Sequence, residues 1–135
     1  EEDHSMKVKL LKKSRKYSDL TPGRAYAVIG IEAGDFRIIN DAGRPYLYPK
    51  MLFAIIDRHE PGDWVSERGA SGERYAYPPP LNVKGFFEDF FDDDPHAKAE
   101  FWKIVNQRLA ATDMGKKRML HLLKNQHPVR VVVPI

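Results

Sequence analysis

Between Gly34 and Asp57 the chain reads "GDFRIINDAGRPYLYPKMLFAIID", and no other stretch narrows the choice of fold as far. Phe36, Ile38 and Asn40 fall on one side of an extended backbone, and Arg37 and Ile39 on the other. "NDAGRP" ends the alternation with turn residues, Gly43 taking the left-handed position that a side chain resists. "YLYP" resumes as a short strand, and Pro49 places it at a sheet edge or before a bend. "KMLFAIID" follows as a further strand, entered through a short helical turn. Strands this short, joined by turns this tight, predict a small and strongly bent antiparallel sheet.

The preceding residues extend the pattern. "KVKLLKK" alternates with Val8 and Leu10 on one face, and "LTPG" turns the chain through Pro22 and Gly23. "RAYAVIGIE" is β-branched and aromatic, with Tyr26 and Val28 suited to a half-buried sheet. "EAGD" closes a hairpin into "FRIIND". Taken together, "LTPGRAYAVIGIEAGDFRIINDAGRPYLYPKMLFAIID" is similar to the SH3-like barrel plan. "TPGRAYAVI" resembles that family's "x-x-G-D-x-L-x-V" strand, and "GDFRIINDAGRPYLYPKMLFAII" resembles its aromatic strand, glycine turn and "G-x-I-P-x-x-Y-V" ending. The family's "ALYDY" opening and acidic loop are absent, and Phe36 stands where its paired tryptophans would be. The resemblance thus implies the fold, an α+β chain built on an SH3-like barrel over 6–57, and not a groove for proline-rich peptides.

Beyond the barrel, residues 58–85 are turn-rich. "DWVSE" and "ERYAY" flank "RGASG" as a hairpin, and "YPPPL" predicts a polyproline II crossover that packs on the barrel's own aromatics. From 86 to 135 the pattern is helical with a basic tail. "FFEDFF" sets Phe86, Phe87, Phe90 and Phe91 on one helix face. Asp94 as N-cap and Pro95 at N1 open a second helix that buries Phe101, Trp102, Val105 and Leu109. "TDMGKK" interrupts it, "KRMLHLLKNQ" predicts another helix, and the terminal "VRVVVPI" is strand-like. Residues 1–5 hold nothing that packs and read as an expression remnant outside the fold.

With no cysteine among 135 residues, disulfides, thiolate chemistry and cysteine-based zinc sites are excluded, and a reducing, cytoplasmic setting is expected. No apolar run reaches membrane-spanning length, so no membrane partner is expected. The net charge of +3 conceals segregation. Residues 6–17 carry six cations and no anion, residues 18–100 carry nine cations against fifteen anions, and residues 101–135 carry seven against one. An acidic body with basic ends favours a basic partner for the body and phosphate for the ends.

No nucleophile elbow, zincin helix, phosphate loop or dinucleotide-binding glycine pattern is present, so the expectation is a protein without catalysis and without a cofactor. His59 beside Glu60 is a solvated loop histidine on this reading. Asp92, Asp93 and Asp94 with His96 match no calcium-loop spacing and read as a helix cap rather than a metal site. Tyr46 and Tyr48 share one face, either all in the core or all in a recognition surface. The chain resembles, in style, the small bacterial immunity proteins of polymorphic toxin systems, which implies a module that neutralises a cognate, basic toxin domain by direct binding. The contact residues expected for that are Tyr46, Tyr48, Asp63, Trp64, Glu67, Glu88, Asp89, Asp92 and Asp93. The alternative is a nucleic-acid-associated barrel holding phosphate through Lys12, Lys13, Arg15, Lys16, Lys116, Lys117 and Arg118. Against that stands a solvated edge strand whose lysines block pairing. A homodimer through the terminal "VRVVV" is also open.

Overall fold

The computed structural model describes residues 6–109, which form a mixed α+β structure of seven antiparallel strands and two helices. The expected helix at "KRMLHLLKNQ", the terminal "VRVVV" and Lys116, Lys117 and Arg118 lie outside those residues. Strand β1 (Lys7–Leu10) stops short of the expected "KVKLLKK", whereas β2 (Ala25–Glu32), β3 (Asp35–Ile39), β4 (Pro45–Pro49) and β5 (Phe53–Asp57) form at the expected segments, with a 3-10 turn over Lys50–Leu52 leading into β5. They pair in the order β4-β3-β2-β1-β5. The path is open, since among the described residues no ladder joins β4 to β5. The hairpin of β6 (Val65–Arg68) and β7 (Arg74–Tyr77) joins the same sheet, because β7 pairs with the far end of β2.

Strand β2 makes this branching possible. Its register runs Val28↔Ile38 and then Gly30↔Arg37, which leaves Ile29 as an extra, bulged residue. A bulge bends a strand and resets its alternation. Tyr26 and Val28 before it and Ile31 after it therefore reach the same core, joined there by Val8, Leu10, Phe36, Ile38, Tyr48 and Phe53. Ile29 and Ile39 point to the opposite face, into a second core with Tyr77, Leu81 and the helices. The central strands are thus covered on both sides, which explains why β3 is buried almost throughout.

That second core is built by helices α1 (Phe86–Phe91) and α2 (Pro95–Leu109). Asp94 caps α2 as expected, its Oδ2 accepting from the amide of Ala97 at 2.8 Å. Phe101, Val105 and Ile104 are buried and Trp102 packs against them. Ile104 was missing from the expected face. Phe90 meets Phe101 edge-on at 4.9 Å, which locks the two helices together. Among the described residues no helix is long and apolar enough to cross a membrane.

Two expectations need correction. "YPPPL" is polyproline II only at Pro78 (φ −56°, ψ 148°), after which Pro79–Leu81 forms a 3-10 turn closed by the Leu81 amide on the Pro78 carbonyl. Proline's fixed φ suits both shapes, and the turn carries Leu81 into the second core. Strand β1 is also not an edge, because it lies between β2 and β5. Lys12, Lys13, Arg15 and Lys16 fall instead in the exposed loop after it.

Candidate functional site

The site grows from a single close approach. Gly30 faces the second core, and a Cβ there would overlap the ring of Tyr77. Lacking one, β2 lets Tyr77 lie flat against it, and the phenol then reaches two partners. It donates to Glu32 Oε2 at 2.6 Å and accepts from Arg37 Nε at 2.6 Å. Arg37 is only 5% exposed. Its other nitrogens donate to the Pro45 carbonyl at 2.7 Å and to Glu32 at 3.0 Å. Its guanidinium lies 3.8 Å from the centre of the Phe87 ring. A buried cation is tolerated only when its donors and charge are met in this way. Burial holds the Tyr77 hydroxyl well above the usual phenol range, so it stays a donor to Glu32.

Over this cluster opens a groove of about 650 Å³, lined by the carboxylates Glu32, Glu67, Glu88 and Asp92 and by the rings of Tyr75, Tyr77, Phe86, Phe87 and Phe91. Three different parts of the fold supply the acids: Glu67 comes from β6, Glu32 from β2, and Glu88 and Asp92 from α1 and its C-cap. Glu67 accepts weakly from Asn82 at 3.2 Å. Arg37 is the one cation among the lining residues, and it is already engaged with Glu32. The groove is therefore acidic and aromatic together. On its far side Arg37 and Phe91 also border a second groove of about 540 Å³, with Lys16, Tyr17, Asp19, Tyr46, Leu47 and Tyr48.

The expected contact residues divide among several places. Glu67, Glu88 and Asp92 converge in the acidic groove. Asp89 is exposed on α1 beside it, while Asp93 (φ 63°) turns away to pair with Lys98 at 2.7 Å. That ion pair draws the Asp93 carboxyl below its usual range. Asp63 accepts two hydrogen bonds from Arg108, at 3.1 and 2.5 Å, and so anchors α2 to the loop before β6. Trp64 is half-buried against the first core and lines a small cavity with Ala27, Pro78 and Ile104. Tyr46 and Tyr48 do not share a fate. Tyr48 is 2% exposed and Tyr46 39%. Tyr17 covers the Tyr48 ring edge-on at 5.5 Å and Asn40 Nδ2 donates to its hydroxyl at 3.0 Å, whereas Tyr46, further along the edge strand, meets Phe91 at 5.7 Å.

The basic loop is held from below. Asp41, in the turn between β3 and β4, accepts from Thr21 Oγ1 at 2.6 Å, from the Tyr26 hydroxyl at 2.8 Å and from Arg24 at 2.9 Å. Lys12, Lys13, Arg15 and Lys16, earlier in the same connection, face solvent. His59 contacts Asp57 at 2.7 Å, and Glu60 beside it is taken by Arg74. Among the described residues no group of three His, Asp or Glu side chains is placed to hold a metal ion.

Glu32 and Arg37 went unremarked as site residues in the sequence. The available signal was an arginine set inside the apolar run "FRII", a pattern that asks for a buried partner. Compared with protein-family models, with curated proteins and with solved structures, the chain shows no significant match.

Proposed function

We propose that the chain is a non-catalytic protein-binding module, an immunity-type protein of the bacterial cytoplasm that neutralises a basic toxin domain by covering it. The observation that supports this reading most directly is the groove in which Glu67, Glu88 and Asp92 stand over aromatic rings with one cation already spoken for. Carboxylates of this kind steer a cationic partner and select it by charge, and aromatic walls supply the apolar contact that holds it. The strand order β5-β1-β2-β3-β4, the bulge in β2 and the 3-10 turn before β5 support the finer fold reading of an SH3-like barrel extended by a hairpin and helices.

The test is capture of partners from lysate of the source cell, with and without nuclease, followed by co-expression of what is captured. One stoichiometric basic protein that survives nuclease, and whose toxicity the chain relieves, is the expected result. A second reading, phosphate binding, has one observation in its favour: the exposed loop of Lys12, Lys13, Arg15 and Lys16. Nucleoid or ribosomal proteins that vanish with nuclease, together with an affinity that falls steeply with salt, would move the conclusion there.

A further inference from the structure

Resting on the protein-binding reading, we infer that the two grooves flanking Phe91 form one track for an extended segment of the partner. The segment sets a basic side chain among Glu67, Glu88 and Asp92 and an apolar side chain on the ridge made by Tyr46 and Phe91.

Three observations converge on this. Arg37 and Phe91 border both grooves, so the two adjoin at the Phe91 ring. The ridge is apolar and wet: Phe91 is 42% exposed and Tyr46 39%, with their rings 5.7 Å apart and tilted by 41°. Partly exposed aromatic pairs are the anchors that interfaces most often bury. The two sides of the ridge then differ in charge. On one side stand Glu67, Glu88 and Asp92, and neither Glu88 nor Asp92 has an ion-pair partner among the described residues. On the other side Lys16 already lies over the Tyr17 ring, 5.4 Å from its centre, so that groove carries its own cation.

The occupant follows from this complementarity. An extended backbone turns every second side chain to the same side, at a spacing of about 7 Å. One lysine or arginine with an apolar residue two positions away fills the acidic groove and covers the ridge. A phosphate backbone has the wrong charge for the acidic half.

The experiment is a titration of the ¹⁵N-labelled chain with synthetic peptides in a glycine–serine frame. One carries Arg-Ser-Trp, one has the tryptophan replaced by serine, and one has the arginine replaced by glutamate. The expected result is saturable shifts at Glu67, Tyr46 and residues 85–92 with the first peptide, and weak or absent binding of the other two. Phe91→Ala, and separately Glu88→Gln with Asp92→Asn, should each weaken binding by about tenfold. Only the charge variants should flatten the salt dependence. Well-dispersed spectra establish that each variant is folded. Shifts elsewhere, no saturation, or equal affinity in the variants would overturn the track. If such a failure accompanies capture of a basic protein by the wild-type chain, the protein-binding reading survives without the track. If no protein is captured, that reading fails on its own measurement.

Discussion

Gly30 and Ala33 lie three residues apart in "VIGIEAGD" and place opposite demands on the backbone. At Gly30 the demand is for space, since the Tyr77 ring lies where a Cβ would sit. Gly30→Ala must push Tyr77 off β2 and strain its bonds to Glu32 and Arg37. We expect a loss of about 1–3 kcal/mol in denaturant unfolding, the range for overpacking a filled interior. At Ala33 the demand is conformational, because its φ of 54° belongs to the left-handed region in a hairpin of two turn residues. Ala33→Gly relieves that strain and is expected to stabilise the protein by about 0.5–1 kcal/mol, a rise in thermal midpoint being the check. The motif shows a turn to any reader of the sequence. Which of its residues takes the positive φ is settled by strand register, and register is a property of the pair.

Among the elements, α1 carries the clearest conflict between stability and charge. Three aspartates follow it: Asp94 caps α2 and Asp93 pairs with Lys98, while Asp92 does neither and sits four residues from Glu88. Like charges at that spacing cost a helix a few tenths of a kcal/mol. Asp92→Asn is therefore expected to raise stability by about 0.3–0.5 kcal/mol while lowering affinity for the proposed cationic partner, a split that melting and binding measurements read separately. The hairpin of β6 and β7 has its own signature. Arg74 hydrogen-bonds Glu60 and holds that carboxyl below its usual value. A carboxylate depressed in the folded state contributes fully above its unfolded pKa, about 4.5 for Glu60, and loses that contribution as pH falls through the folded value. Acid should thus loosen this contact below about pH 4.5, and Arg74→Leu should flatten the stability–pH curve in that window alone.

Much of this element level was legible beforehand. Alternation in "FRIIN" sorted the residues onto two faces correctly, since both faces turned out to be apolar. "DDDPHA" declared its cap because the signal is local. What stayed hidden were relations between distant residues. The pairing of β7 with β2 depends on the bulge at Ile29, and the exposure of Tyr46 beside a buried Tyr48 depends on how far Tyr17 reaches along β4. The groove drew Glu32 and Glu67 together across that same pairing, which no spacing rule encodes.

At the level of the whole molecule, the two cores share β2 and β3 as a common wall. Trp102 packs against the second core, and Trp64 packs against the first while also lining a small cavity with Ile104 of α2. We expect Trp64→Phe and Trp102→Phe variants, each with one reporter left, to melt at midpoints that coincide once the small stability change of each substitution is allowed for. Separated transitions would show that helices and sheet fold as independent units. A wall buried on both faces also divides the chain by its freedom to vary. Substitutions in β2 and β3 are felt on two sides at once, whereas Glu67 on β6 and Glu88, Phe91 and Asp92 on α1 and its C-cap stand at the periphery. The same scaffold can accept new residues at those four positions without rebuilding its interior, so on the proposed binding reading a lineage of such proteins retargets through rim changes alone. A library randomised there should yield folded, differently selective binders at high frequency.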